Sequence, residues 1–118
     1  MKNQRAFSLL EVMLATVILL VIICAALLAY SQSMLLNQTS RNLALAANDC
    51  QRVLEEIKAL SYGDIPGYTP PALVNLAGEV ISLSRDVETN ITTVTVNVQW
   101  QEGGRARNLA FTSCFAKK

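Results

Sequence analysis

The feature that most constrains this chain is a membrane-length apolar run near its N-terminus, with a single carboxylate at its start. Residues 12–30 are almost wholly apolar, and no charged residue occurs between Val12 and Ser40. Glu11 lies directly before this run. A carboxylate inside a membrane span costs about 2.5–3.5 kcal/mol on insertion scales, so such a residue usually has a partner and a role. The segment therefore predicts a membrane-spanning helix with one functional charge.

Basic residues upstream of the run predict how the chain is oriented. Lys2 and Arg5 precede the span, and positive residues in that position favour the cytoplasmic side, which directs the rest of the chain outward. A secretory signal peptide would have its small-residue cleavage site after the apolar core. Residues 30–34 show no such pattern, whereas the small residue Ala6 lies before the core. A helix over residues 7–30 would extend about 36 Å, which is enough to cross a bilayer.

The helical pattern continues beyond the apolar run. No Gly or Pro occurs between Phe7 and Tyr62, so a single helix is predicted to about Leu60. In its second half, steps of three and four residues mark one face. That predicted face consists of Leu36, Ser40, Leu43, Ala47, Cys50, Leu54 and Ile57.

A small antiparallel sheet is predicted after the helix. Gly and Pro are frequent in residues 61–78, which indicates a surface loop. Three strands follow, at Val80–Val87, Ile91–Trp100 and Arg105–Phe115. The predicted fold class is therefore α+β, with a three-stranded meander that covers the helix from Leu43 to Ile57.

The register of the last two strands follows from the turn between them. If Gly103 and Gly104 form a two-residue loop, Val98 lies opposite Leu109 and Val96 opposite Phe111. The apolar faces of both strands then coincide.

Composition argues against several kinds of function. The chain has 118 residues, a net charge of +1 and no His. No basic patch is visible, so nucleic-acid binding has no electrostatic support. Three Cys without His form no recognisable zinc site, and the adjacent Glu55 and Glu56 point to different sides of a helix. We expect no enzyme activity, no metal and no cofactor.

The N-terminal residues resemble those of the type IV pilin family. A basic leader, Ala6-Phe7, a Glu four residues after Phe7 and an apolar run follow one another as in prepilins. The resemblance implies cleavage by prepilin peptidase between Ala6 and Phe7, with Ala in place of the usual Gly, and N-methylation of Phe7. It also implies that Glu11 pairs with the Phe7 amine of a neighbouring subunit during assembly. Alternatively, Glu11 lies at the membrane surface, where its negative charge is stabilised by the positive end of the helix dipole.

The same resemblance suggests a division of the chain into four parts. Residues 1–6 would be a cytoplasmic leader and residues 7–30 the helix of the membrane or filament core. The amphipathic helix of the head would occupy residues 31–62, and residues 63–118 would form a loop and the sheet.

The small head is most similar to those of V-type minor pilins. This implies a structural subunit of a type IV pilus, located in the bacterial inner membrane with its head in the periplasm and in the filament or its tip complex. The implied partners are prepilin peptidase, other pilins or pseudopilins bound through the N-terminal helix, and the inner-membrane assembly platform. A minor pseudopilin of a type II secretion system is the close alternative. An alternative from another class is an unprocessed, signal-anchored membrane protein with a small exported domain.

The three cysteines leave one question open. Cys24 lies in the apolar run and fits a small buried residue. Pilin-like heads often contain a disulfide, and a Cys50–Cys114 bond would tie the last strand to the helix. Against this bond, Cys114 alternates with Phe111 and Phe115 and so points away from the predicted helix-facing side.

Overall fold

The computed structural model describes residues 8–117 and confirms the predicted α+β fold class. Its elements are a helix α1 at Leu9–Ala59, a 3₁₀ helix at Tyr62–Gly67, and strands β1 at Val80–Val87, β2 at Ile91–Glu102 and β3 at Arg105–Ala116. The chain divides into two compact units between Gln38 and Thr39.

The first unit contains the apolar part of α1. Its first turn begins at Ser8, whose carbonyl accepts hydrogen bonds from the backbone N–H groups of Glu11 at 2.9 Å and Val12 at 3.2 Å. By length and composition, α1 could cross a membrane: its most apolar window has a mean hydropathy of 3.1 and no buried residue. Its large apolar side chains are therefore available to lipid or to other helices.

The second unit contains the sheet, in the order β1-β2-β3 with both pairs antiparallel. The predicted register is confirmed, because Val98 pairs with Leu109 and Val96 with Phe111. Gly103 and Gly104 have positive φ angles of 56° and 77°. Two consecutive residues with positive φ form the tight turn that matches the twist of a two-residue hairpin.

Alternate residues of β2 form the centre of the core. Val94, Val96 and Val98 are fully buried, and Trp100 is 3% exposed. Their side chains lie on one face because successive residues of a strand point to opposite sides. The same face carries Leu109, Phe111 and Phe115 of β3, which pack against the core while remaining half-buried.

The buried face of α1 differs from the predicted one. Cys50 and Ile57 are buried as expected, but Leu36 and Leu43 are exposed. The buried apolar residues are Ala46, Cys50, Val53 and Ile57, with Asp49 beside them. The observed face is therefore rotated by a fraction of a turn from the predicted one and begins at Ala46, about three turns after Leu36. Leu and Ala occur on both sides of this face, so the sequence pattern fits either orientation.

The long loop between α1 and β1 is anchored at two apolar residues. Ile65 of the 3₁₀ helix and Leu76 are both buried in the core. Near its end, the backbone N–H of Gln101 in β2 donates to the carbonyl of Ala77 at 2.9 Å. The predicted surface loop is thus largely correct, with a short 3₁₀ helix inside it.

Candidate functional site

The predicted processing and assembly residues lie at the start of the chain. Ala6 and Phe7 lie outside the described residues. Glu11 occupies the first turn of α1 and is exposed. Because the N-terminus of a helix carries a partial positive charge, a carboxylate in the first turn is favourable there. No Lys or Arg occurs between residues 8 and 38, so Glu11 has no cation to pair with in that part of the chain.

The surroundings of Glu11 on α1 are apolar. A shallow groove along the helix is lined by Glu11, Val12, Ala15, Thr16 and Leu19. The Thr16 hydroxyl donates to the carbonyl of Met13 at 2.8 Å, so its polar group is satisfied within the helix. The carboxylate of Glu11 is therefore the one charge on an exposed apolar surface. Such a surface can bind a second apolar helix while the carboxylate selects a cationic partner.

The possible disulfide between Cys50 and Cys114 is not formed, and the three cysteines of the chain are free. Cys50 is buried against β3, with its Sγ 4.0 Å from the carbonyl oxygen of Leu109. Cys114 is exposed on the opposite face of the sheet, where its Sγ lies 3.6 Å from Thr93 Oγ1. Because the two thiols lie on opposite faces of the sheet, a bond between them would require the end of β3 to reverse its alternation.

A second group of polar residues fastens the loop to α1. The Tyr68 hydroxyl donates to Glu56 Oε2 at 2.5 Å, and Arg52 Nε lies 3.3 Å from Glu56 Oε1. Arg85 of β1 donates to the carbonyl of Tyr68. The hydrogen bond from Tyr68 lowers the pKa of the Glu56 carboxyl, and burial together with that carboxylate raises the pKa of Tyr68 to about 12.

A third group brings two carboxyls together. Asp49 on α1 is only 6% exposed, and Asn75 Nδ2 donates to its two oxygens at 3.0 and 3.2 Å. Glu79 Oε2 accepts hydrogen bonds from the backbone N–H groups of Asn75 at 2.9 Å and Leu76 at 3.1 Å. Burial raises the pKa of the Glu79 carboxyl, and the adjacent Asp49 raises it further. Burial and the same two carboxyls raise the pKa of the Cys50 thiol.

The spacing of Arg52 and Glu56 on the helix predicts their ion pair, which the structure confirms, but sequence reasoning missed the contacts that join the loop to α1. Asp49 had a weak signal, since a carboxylate next to Cys50 falls on the buried side of the helix. The sequence contains no signal for the contacts of Tyr68, Asn75 and Glu79, because these contacts depend on how a long loop folds back on α1. Within residues 8–117, no group of three or more His, Cys, Asp or Glu residues could hold a metal ion.

Comparison with known protein families gives a match at the N-terminus. Residues 1–27 match the family described as the prokaryotic N-terminal methylation motif. No curated protein and no solved structure matches the chain significantly. The matched motif is that of prepilin peptidase substrates, in pilins and pseudopilins alike. With this motif at residues 1–27 and a long helix followed by an antiparallel sheet, the chain is similar to type IV pilin-like proteins.

Proposed function

We propose that this protein is a minor pilin, a structural subunit that is assembled into a type IV pilus or its tip complex. The observation that carries the proposal is the methylation motif at residues 1–27 joined to an exposed apolar helix. The small three-stranded head supports a subunit that joins or caps its neighbours. Catalysis plays no part in this proposed role.

In this proposal, maturation creates the assembly site. Prepilin peptidase cleaves between Ala6 and Phe7, which removes Lys2 and Arg5 and leaves a free amine on Phe7 that is then N-methylated. That amine is the one cation near the apolar helix of a mature subunit. It pairs with Glu11 of a neighbour, because an ion pair offsets the cost of holding a carboxylate among apolar side chains.

The four-part division of the chain follows from this role. The leader of residues 1–6 stays in the cytoplasm, the helix of residues 7–30 is stored in the inner membrane, and the head of residues 31–118 faces the periplasm. The charge-free run up to Ser40 supports this arrangement, since it leaves the first charged residues of the head well beyond the apolar core.

The first test is the intact mass and N-terminal residue of the protein extracted from its native membrane. The proposal expects a chain that begins at N-methylated Phe7. A chain that still begins at Met1, in cells with an active prepilin peptidase, would contradict the proposal. It would favour an unprocessed, signal-anchored membrane protein with a small exported domain.

A minor pseudopilin of a type II secretion system shares the same motif and the same maturation. Deletion of the gene separates the two roles. Loss of surface pili with normal protein secretion supports the minor pilin, whereas loss of secretion with normal pili supports the pseudopilin.

A further inference from the structure

The tip of the β2–β3 hairpin lies at the end of the head where the chain enters it. Helix α1 enters the second unit at Thr39. Three residues further on, Asn42 donates from Nδ2 to Glu102 Oε1 at 2.8 Å. Glu102 is the last residue of β2, directly before the turn at Gly103 and Gly104. We refer to this end of the second unit as the entry end.

Three arginines are exposed at the entry end. Arg41 is the first charged residue after the apolar run of the chain. Arg105 lies opposite Glu102 in the register of the hairpin. Arg107 follows two residues later, and its Nε is 3.4 Å from Glu102 Oε2. Among the described residues, Arg41 and Arg105 form no ion pair, so their guanidinium groups are available to an outside anion.

The other carboxyls on this side of the head are turned inward. Asp49 is only 6% exposed, and both of its oxygens accept hydrogen bonds from Asn75. Glu79 Oε2 accepts hydrogen bonds from two backbone N–H groups, and Glu79 Oε1 is buried. The exposed charge of the entry end is therefore mainly positive.

The opposite end of the head has a different balance of charge. It contains the 3₁₀ helix, the turn between β1 and β2, and the end of β3, where the backbone N–H of Lys117 donates to the carbonyl of Asn90 at 2.9 Å. The exposed charged residues at that end are Asp64, Asp86, Glu88, Lys58 and Lys117. Acidic residues outnumber basic ones there, so exposed positive charge is concentrated at the entry end.

Exposed apolar side chains accompany the arginines. Val80 begins β1 at this end of the sheet and is 58% exposed. Val74 is 92% exposed and lies three residues before Ala77, whose carbonyl accepts a hydrogen bond from the N–H of Gln101 at 2.9 Å. Cationic and apolar side chains on one surface are the combination that binds the interface of an anionic membrane.

We propose that the entry end of the head docks onto the anionic phospholipids of the membrane in which the subunit is stored, with Arg41 and Arg105 bound to lipid phosphates. A guanidinium group suits this ligand, because it can donate two parallel hydrogen bonds to one phosphate. The apolar run tethers the head to the membrane, so headgroups are present at a high effective concentration. The inference rests on the proposed function in one respect, the storage of the subunit with its head outside the membrane.

The test places the full chain in lipid nanodiscs and measures energy transfer from Trp100, the single tryptophan, to dansyl groups on the lipid headgroups. Trp100 lies opposite Arg107 and therefore near the entry end. Transfer should be stronger in discs that contain phosphatidylglycerol than in discs of phosphatidylcholine alone, and added NaCl should reduce it by screening the charges. In the double variant Arg41→Gln, Arg105→Gln, the ratio of docked to undocked heads should fall about thirtyfold, at about fivefold for each arginine.

The matched control removes two positive charges from the opposite end of the head. The double variant Lys58→Gln, Lys117→Gln should show the same transfer as the wild type, because neither lysine lies at the entry end. The proposal is overturned if transfer does not depend on phosphatidylglycerol. It is also overturned if the arginine and lysine variants lose transfer equally, since net charge alone would then explain the attraction.

Inorganic phosphate distinguishes a lipid surface from a soluble ligand. Added to discs that contain phosphatidylglycerol, it should reduce transfer no more than NaCl does at the same ionic strength. A larger reduction overturns the proposal, because the arginines would then form a site for free phosphate. These measurements need neither prepilin peptidase nor a filament. Their failure would leave the proposed minor pilin intact, and a chain that still begins at Met1 would leave the docking result unchanged.

Discussion

Tyr68 and Glu56 form a single contact that links the loop to α1 and responds to acid. The pKa of Glu56 is lowered, chiefly by the hydrogen bond from Tyr68. Its contribution to stability is therefore present above about pH 4.3 and is lost as the pH falls through the lowered value. We expect Glu56→Gln to lower the Tm at neutral pH and to reduce its decline in acid. Fluorescence of Trp100, the single tryptophan of the chain, reports the melting of the head.

Glu55→Gln is the matched control for that prediction, because Glu55 is an exposed carboxyl next to Glu56 on the same helix. The control should melt like the wild type in acid as well as at neutral pH. Equal acid sensitivity in wild type and Glu56→Gln would mean that this contact does not contribute to the pH dependence.

Two valines of the head lie at opposite extremes of burial and allow a direct test of the core. Val94 in β2 is completely buried, whereas Val74 is 92% exposed. Val94→Ala removes two buried carbon atoms and leaves a cavity, which should lower the free energy of unfolding by about 2–3 kcal/mol. Val74→Ala should change it by less than about 0.5 kcal/mol. Denaturant unfolding monitored by Trp100 fluorescence measures both changes in free energy. Equal effects would contradict the burial of Val94 in the core.

Among the elements, the turn of the β2–β3 hairpin depends on its backbone conformation rather than on side-chain packing at Gly103. Gly103 has a φ of 56°, and a Cβ added there would meet nothing within 4 Å. Gly103→Val should therefore destabilise the head by about 1–2 kcal/mol through backbone strain alone. Asn tolerates this conformation, so Gly103→Asn should retain most of the stability. Thermal melts of both variants check this, and identical losses would argue for a packing role of Gly103.

The elements that follow from local patterns were predictable from the sequence. Strand β1 matches the predicted Val80–Val87, and β2 and β3 extend only slightly beyond the predicted ends. Strict alternation of Val with polar residues in β2 and the pair Gly103-Gly104 determine the strands, the turn and the register together. The end of α1 was equally clear, because Gly and Pro follow it closely.

The parts that depend on tertiary packing were not predictable in the same way. The predicted orientation of α1 under the sheet differs from the observed one because adjacent apolar residues fit either face. Ala46 and Ala47 form one such pair, and Val53 and Leu54 form another. The hydrogen bonds from Asn75 to Asp49 were missed because Asn75 reaches α1 only after the long loop before β1 folds back. Local periodicity contains no information about such a contact.

For the molecule as a whole, the distribution of charge separates association through the apolar helix from the stability of the head. Between residues 8 and 40 the only charged side chain is Glu11, whereas the ion pairs of Arg52 with Glu56 and of Arg107 with Glu102 lie in the second unit. Changes in the head should therefore alter its stability without changing membrane insertion. A change at Glu11 should act on association and not on the stability of the head.

The prediction for the whole molecule concerns Glu11 and its proposed partner on a neighbouring subunit. Glu11→Gln removes the charge but keeps the size of the side chain. It should not impair membrane insertion, because it removes a charge that is costly in lipid. It should leave the melting of the head unchanged, because Glu11 lies in a separate unit. Incorporation into filaments should be lost, since the amide cannot form an ion pair with the Phe7 amine. Immunoblots of sheared filaments and of membranes measure the fraction assembled.

Thr16→Val is the matched control, since Thr16 lines the same groove and its hydroxyl bonds only within the helix. This variant should enter filaments at the wild-type fraction. If Glu11→Gln did so as well, the carboxylate would serve the helix dipole and not a neighbouring subunit. Since a first-turn carboxylate on an exposed helix contributes only about 0.3–1 kcal/mol, that outcome would also predict a barely detectable effect of Glu11→Gln in every other assay.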